Sequence, residues 1–482
     1  MKKEHLILKP IVIRRFIGLI LFLLTVVLAV MAIINIKNLD ILPDKYFYLV
    51  IGIEIVFIII SGLLLLKPKK IIWFIIGIIL VIGMNIGNII VGSYVSKTNK
   101  FINKTFKEYM TISTDYIVVT SSRNNINSID ELDSNQSIYY FKYSRNVDLA
   151  LKEIKKGEYL STDSISNMLL TIDQNPNTYL LISKADYDYI MESTILYNKD
   201  NYKIIKEFTV EYKEEINNEV KDSYTIYLNG TDFTGVMRDF NLLITVNTKT
   251  KKVLMTSILR GYYIDVPAYN TKDTLMCLGA YDSNVSKEAL EKLLDTKIDY
   301  VVNVNTNSLV DIVDTIGGVE FCSDYSFTTT HVLTDNTYND KYGKKLTVPA
   351  GCKEYNGIEA LTIARERLNL KNNERGRIEN CEKIMMGIVK KTMTTENILN
   401  FDEVLNSYSK LYTTDMNKTV ITKLAKSFIN NYNDYEIINQ NLDGKDGTAL
   451  GHLGTQEVGV TFPDENQVKE ASQKIKKVLE GK

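Results

Sequence analysis

The sequence predicts an α/β protein carried on three N-terminal transmembrane helices, with a small α/β domain followed by a larger one. Three observations predict it. Three apolar runs fill most of the first 92 residues. Strand-like and helix-like segments then alternate to about residue 222. From Ser223 a strand hairpin appears, followed by further strand and helix segments. At 482 residues the chain exceeds the usual prior of roughly 150 residues per domain. Three domains are expected, at 1–96, 97–222 and 223–482.

Residues 16–34 are uncharged, residues 46–66 carry the single charge of Glu54, and residues 71–92 make a third run. Each is close to the roughly 20 residues that cross a bilayer as a helix. A signal peptide would be one short run, not three. Lys2, Lys3, Lys9, Arg14 and Arg15 precede the first run, and Lys67, Lys69 and Lys70 separate the second from the third. The 35–45 loop balances two lysines with two aspartates. The positive-inside rule therefore predicts a multi-pass cell-membrane protein with a cytoplasmic N-terminus and everything from residue 97 outside. Glu54 reads either as a functional intramembrane carboxyl or as a residue near the outer interface.

The net charge of −1 hides an asymmetry: residues 1–96 carry ten Lys/Arg against four Asp/Glu, the remainder 47 against 54. A mildly acidic main body argues against a broad nucleic-acid footprint. Three histidines and four cysteines without metal-binding spacing argue against structural zinc.

Within 97–222, "DYIVVTSS" reads as a buried strand. A capped turn follows around Ser128 and Glu131, then another strand, and "VDLALKEIKKGEY" has helical spacing. "MLLTI" and "TYLLISKADYDYIMES" give a strand followed by a helix. No phosphate loop or catalytic pair stands out, so an accessory role is the default, with ligand binding second. From Ser223, "LLITVN" and "KVLMTSIL" joined by "TKTK" form a hairpin. Helical spacing in "SKEALEKLLD", a strand–helix–strand unit in 298–321 and a helix N-capped by Asn356 follow. Residues 396–482 read as closing helices around "FDEVLNSYSKLYTTDM" and "VITKLAKSFINNY", a Gly-rich turn that carries His452, and a final helix.

Arginine use is the strongest local signal. Of ten arginines, four (Arg365, Arg367, Arg375 and Arg377) fall within thirteen residues, in a chain that otherwise prefers lysine. A cluster of planar donor forks suits a bidentate anion such as phosphate. The bland alternative is a salt-bridged helix face, because Glu366, Glu374, Glu379 and Glu382 lie close by.

Residues 223–395 resemble the LytR–CpsA–Psr family of cell-envelope proteins. The resemblance rests on Gly230-x-Asp232, the Arg238–Leu242 segment, the "VNTKTKKVLMTSILR" hairpin, "IDYVVNVNTNSLVDIVDTIGGVEF", "YNGIEAL", Arg365-x-Arg367 and the 374–380 motif. Three membrane spans followed by an accessory domain match one branch of the family. The resemblance implies a mixed central sheet flanked by helices. It also implies a membrane-anchored transferase that moves an anionic glycopolymer (teichoic acid, capsule or another secondary wall polysaccharide) from polyprenyl-pyrophosphate to peptidoglycan. The family forms a phosphodiester, usually to the 6-hydroxyl of N-acetylmuramic acid, and a polyprenyl-pyrophosphate phosphatase side activity goes with that chemistry. The alternative is a non-catalytic polyprenyl-phosphate binding or regulatory protein.

By family position, Asp232 and Asp239 are the ligands of Mg2+, with Mn2+ as a substitute, and Arg260, Arg365, Arg367, Glu374 and Arg377 are catalytic. Arg238, Lys272 and Arg375 are further pyrophosphate-binding candidates. Arg365 and Arg367, if on a strand, project to one face, and Arg375 and Arg377 do likewise if extended. The chain departs from the family at Arg238, where the arginine is usually one residue earlier, and at Lys272, which is displaced. Further departures are Glu374 in place of Asp, and Asn380 and Cys381 in place of Arg and Gln. Cys322 at a strand end and Cys352 in its expected antiparallel neighbour predict a disulfide; Cys277–Cys381 is a weaker pairing.

Overall fold

The structure, a computed structural model, describes residues 10–482 except 68–69, 107–108, 134, 143, 145, 163–164, 194–196, 216–218, 232–236, 282, 306–307, 333–343, 393, 395–396, 398–403, 405–406, 409–411, 432–433 and 452–456. Asp232, His452 and most of the expected 401–411 helix therefore lie outside the described residues. The chain forms two compact units: residues 1–106 with 418–435, and residues 107–417 with 436–482.

The first unit holds helices α1 (Pro10–Leu39), α2 (Asp44–Leu66) and α3 (Ile71–Thr105). All three are long and apolar enough to cross a membrane. Helix α3 continues well beyond the apolar run, through a polar stretch with no Gly or Pro after Gly92 to stop it. Residues 418–435, expected to help close the last domain, group with these helices instead. Their helix, Lys418–Asn431, buries Val420 and Leu424. Lys426 Nζ bonds Asp40 (2.9 Å) and Asp44 (3.0 Å), and Lys418 Nζ bonds Asn103 (3.1 Å) and Asn99 (3.3 Å). The α1–α2 loop and the end of α3 thus lie at the same end of the bundle, as alternating crossings require.

The second unit contains two mixed sheets. The smaller comprises β1 (Tyr109–Ser121), β2 (Ser137–Phe141), β3 (Glu158–Thr162), β4 (Tyr179–Ser183) and β5 (Tyr202–Glu215), in the order β3-β2-β4-β1-β5. It is covered by α4 (Val147–Ile154), α5 (Ile165–Gln174) and α6 (Lys184–Ser193). "MLLTI" lies inside α5. The spacing of buried Met168, Leu169 and Ile172 is helical, and the apolar run alone could not distinguish this from a strand.

The larger sheet has the order β16-β11-β6-β7-β8-β17. Its hairpin is β7 (Arg238–Asn247) and β8 (Lys252–Ile258), beside β6 (Ser223–Thr231). The connecting turn is closed by Asn247 Oδ1, which accepts from Lys249 and Thr250 N–H (both 3.0 Å). On one side β6 is antiparallel to β7; on the other it runs parallel to β11 (Tyr300–Val304). Between these come β9 (Tyr263–Val266), β10 (Thr271–Thr274), α7 (Leu278–Tyr281) and α8 (Ser283–Leu294). Then follow α9 (Ser308–Thr315), β12 (Val319–Ser323), β13 (Phe327–Val332), β14 (Lys345–Val348), β15 (Gly351–Tyr355), α10 (Gly357–Arg365) and α11 (Glu374–Thr392). Strand β16 (Tyr412–Thr414) and, after the 418–431 helix (α12), β17 (Glu436–Leu442) occupy the two sheet edges. A hairpin of β18 (Gly444–Leu450) and β19 (Glu457–Pro463) precedes the last helix, α13 (Glu465–Leu479).

The expected Gly-rich turn is therefore the hairpin, and β17 is a strand that was not expected. Its sequence, "EIINQNL", mixes polar residues into both faces, which an edge strand tolerates. One apolar core spans both sheets; Phe141 stacks on Tyr269 with ring centroids 5.5 Å apart. Cys322 and Cys352 face each other in the β12–β15 register and are bonded. Cys277 and Cys381 do not pair: Thr274 Oγ1 donates to the Cys277 sulfur (3.1 Å), and the Cys381 thiol donates to the Ala364 carbonyl (3.4 Å).

Candidate functional site

The site forms where β7 begins and β8 ends, which the antiparallel hairpin brings to one end of the sheet. The C-terminal ends of β6 and β11 lie at that same end. Ligands of mixed and parallel sheets gather at such strand ends. A bulge between the pairs Gly230↔Phe240 and Thr231↔Arg238 leaves Asp239 as the extra residue on β7. Arg260 stands two residues beyond β8, and its Nη1 donates to Asp239 Oδ1 at 2.5 Å.

Helix α11 supplies the opposing wall. Glu374, its first residue, accepts from Arg377 Nε (3.1 Å) and Nη2 (2.5 Å), lies 3.5 Å from Arg260 Nε, and has Arg367 Nη1 4.0 Å from its other oxygen. Arg377 also donates to the Asp239 carbonyl. Asp239, Arg260, Arg367, Glu374 and Arg377 are thus one cluster, three guanidinium groups around two carboxylates. Exposure is graded across it: the Arg377 side chain is 9% exposed, Arg260 25% and Arg367 42%. The cluster is deepest at Arg377 and opens toward Arg367. Glu374 Oε2 is buried without a hydrogen-bond partner among the described residues.

The expected extended geometry of the arginine pairs does not hold. Arg365 is the last residue of α10, and Arg367 lies beyond its C-cap, Glu366. The helix starts from a full capping box between Asn356 and Glu359. Arg375 and Arg377 both sit in the first turn of α11, where two residues correspond to about 200° of rotation. They consequently point apart: Arg377 joins the cluster, while Arg375 pairs with Asp443 at the start of the β18–β19 hairpin. Lys272 on β10 pairs with Asp265, its register partner on β9 (3.6 Å), and Arg238 is buried near Tyr227. Sequence reasoning missed Asp443 and the buried Glu366. Glu366 looked like one more helix-surface acid, and only its place between two arginines hinted otherwise.

Cys381, one turn beyond Arg377, stays a protonated thiol. Burial pushes it up to about 11, against the opposing pull of Arg377. It is poorly suited to be a nucleophile.

On the face opposite α8, the row Val302–Leu228–Leu242–Ser257 runs across four strands in register. Glu382 of α11 accepts from Ser257 Oγ (2.6 Å), which fixes α11 over that face. The same face carries Ile244, Met255, Val302 and Val304, and α11 carries Cys381 and Met385, all apolar residues only partly buried against the core.

The LytR_cpsA_psr family matches residues 189–477, more than half of the chain, and the protein belongs to that family. A relative from Enterococcus faecalis, "Polyisoprenyl-teichoic acid--peptidoglycan teichoic acid transferase TagU", is 24% identical over 279 residues. The match covers 56% of this chain and 84% of the relative. "Biofilm regulatory protein A" of Streptococcus mutans is 27% identical over 195 residues, 39% of this chain and 47% of the relative. The crystal structure of B. subtilis TagV aligns over 54% of this chain and 99% of its own, with 19% identity and a TM-score of 0.44.

Proposed function

We propose that this protein transfers an anionic glycopolymer from a polyprenyl-pyrophosphate carrier to peptidoglycan. The observation that carries the reading is the Arg260–Arg367–Arg377 cluster at the sheet end, graded from buried to exposed. A pyrophosphate split demands charge neutralisation and positioning more than covalent chemistry. Three guanidinium forks supply many fixed donors to non-bridging phosphate oxygens. Without the anion, Asp239 and Glu374 hold these forks in place; with it, the phosphates take over part of that role. The apolar face under α11 offers the prenyl chain a surface next to the charged cluster. The names of the TagU relatives describe the same donor and acceptor classes.

The carboxylates of the cluster offer oxygen ligands, and Glu374 Oε2 makes no hydrogen bond among the described residues, which suits a hard cation. Asp239, together with Asp232, would hold Mg2+, and Mn2+ would fit the same ligands. The metal, when bound, neutralises phosphate oxygens. Arg377 and Arg260 orient the pyrophosphate, and Glu374 holds both arginines and stands ready to accept the acceptor hydroxyl's proton. In this reading residues from 97 onward face the outside, where peptidoglycan lies, with the N-terminus in the cytoplasm.

The test uses the purified full chain in detergent with a polyprenyl-pyrophosphate-linked polymer, peptidoglycan fragments and magnesium. Transfer that disappears in Arg260→Ala supports the reading. Tight lipid binding without turnover under any condition would leave only a binding or regulatory role.

A further inference from the structure

Glu366 stands between the two arginines of the Arg365-x-Arg367 pair, yet it is completely buried. Its carboxylate accepts from the Thr330 N–H, Thr330 Oγ1 (3.0 Å), Arg367 N–H (2.9 Å) and Asn369 N–H (2.9 Å). Asn369 reinforces the attachment by donating to the Thr328 carbonyl (2.8 Å). Thr330 offers its N–H to Glu366 because the β13–β14 register breaks between Thr328 and Val332. A buried carboxylate is costly unless its oxygens are satisfied, and here four donors meet them.

We infer that Glu366 is a positioning residue for the clamp: it fixes the turn carrying Arg367 to the irregular stretch of β13 and so sets where that guanidinium meets the ligand. Three features support this. The carboxylate binds the backbone N–H of Arg367 itself, one residue from the guanidinium it positions. Arg367 is the most exposed of the three clustered arginines and sits 4.0 Å from Glu374, so side-chain contacts within the cluster hold it least. The carboxylate's hydrogen bonds go to backbone N–H groups and a hydroxyl, so its charge organises the turn. Gln cannot replace it. Oε1 receives three donors and Oε2 receives one, so either amide orientation sets an NH2 against an N–H.

This inference rests on the proposed function, since the ligand meant is a polyprenyl pyrophosphate. The experiment separates the two. Full-length wild type, Glu366→Gln, Arg367→Ala and the double variant are titrated with geranylgeranyl pyrophosphate in detergent micelles. Amide hydrogen exchange of residues 366–370 is followed in parallel without lipid. Glu366→Gln is expected to weaken binding about tenfold and to speed exchange at 367–369, while thermal unfolding stays cooperative. The double variant is expected to bind no worse than Arg367→Ala, because Glu366 acts through Arg367. Thr330→Val, which removes one donor and no charge, is expected to weaken binding about threefold.

Wild-type affinity in Glu366→Gln, or losses that multiply in the double variant, would overturn the inference. If the wild type does not bind the lipid at all, the proposed function fails. The exchange measurement then still decides the positioning role, which unchanged protection at 367–369 would refute.

Discussion

Arg375 and Arg377 are two residues apart and chemically identical, yet the structure assigns them opposite consequences on substitution. Arg377 is buried and makes three hydrogen bonds, two to the Glu374 carboxylate and one to the Asp239 carbonyl. Arg377→Ala removes a donor fork from the proposed phosphate site; loss of one preorganised donor typically costs about 10²–10³ in kcat. It also leaves Glu374 short of its main partner. Breaking a buried ion pair costs roughly 3–5 kcal/mol. Glu374 keeps Arg260 at 3.5 Å and Arg367 at 4.0 Å and is 20% exposed, so about 2–3 kcal/mol is the better expectation here. Arg377→Lys restores the charge but not the fork, so it should recover stability more than rate. Arg375→Ala breaks a pair whose partners are 37% and 41% exposed. Such pairs contribute at most about 1 kcal/mol, and activity should stay within about twofold of wild type. The assay is polymer transfer, or phosphate release with water as acceptor, alongside thermal unfolding of each variant. Equal losses in the two variants, or a larger loss in Arg375→Ala, would refute the division of roles.

Removing the Cys322–Cys352 bond, which closes a sequence separation of 30, with a double Ser variant should destabilise the second unit by about 3–4 kcal/mol, read by denaturant unfolding with and without reductant. An unchanged midpoint would show that the bond is absent from the isolated protein. Asp186 is wholly buried, accepts from Ser183 Oγ (2.6 Å), and is raised by burial to about 6. The unfolded carboxyl releases its proton near 3.9, so this group's contribution to stability is full below about pH 4 and is lost as pH rises through 6. Asp186→Asn should therefore stabilise the protein by about 3 kcal/mol at pH 7.5 and remove that pH dependence; no gain at pH 7.5 would contradict the burial argument. Cys381 should resist alkylation in the native protein at pH 8 while reacting after unfolding; rapid native labelling would show an exposed thiolate. Lys426→Glu places three carboxylates together with Asp40 and Asp44 and should speed proteolysis within 418–435; unchanged cleavage would show that the contact contributes little.

Much of this was legible in the sequence because it is written locally. The three apolar runs, the β7–β8 hairpin and the Asn356 cap each depend on a few neighbouring residues. The arginine cluster was legible as a concentration of one residue type, and Arg260, Arg367, Glu374 and Arg377 were named from motif order. What could not be read was direction. Whether Arg375 and Arg377 share a face depends on where α11 begins, and the sequence left that start uncertain by a few residues, enough to reverse the answer. The partner of Arg375, Asp443, is 68 residues away beyond an unexpected edge strand. Glu366 shows the same limit: its burial comes from an irregularity in β13, a strand 36 residues earlier, and a charged residue between two arginines gives no local sign of it. "MLLTI" failed for a different reason, since a five-residue apolar run fits a strand or a helix equally well.

Whether the Asp239–Arg260–Arg367–Glu374–Arg377 cluster splits a polyprenyl pyrophosphate and passes the polymer on is decided by following the two phosphates. A donor carrying 32P only in the phosphate bonded to the polymer is incubated with the purified full chain, peptidoglycan fragments and magnesium. The label is expected to leave with the polymer and enter a phosphodiester to peptidoglycan, polyprenyl phosphate to be released unlabelled, and Arg377→Ala to slow the transfer about 10²–10³-fold. Label that stays on the lipid, or transfer that proceeds unchanged in Arg377→Ala, would contradict this role for the cluster.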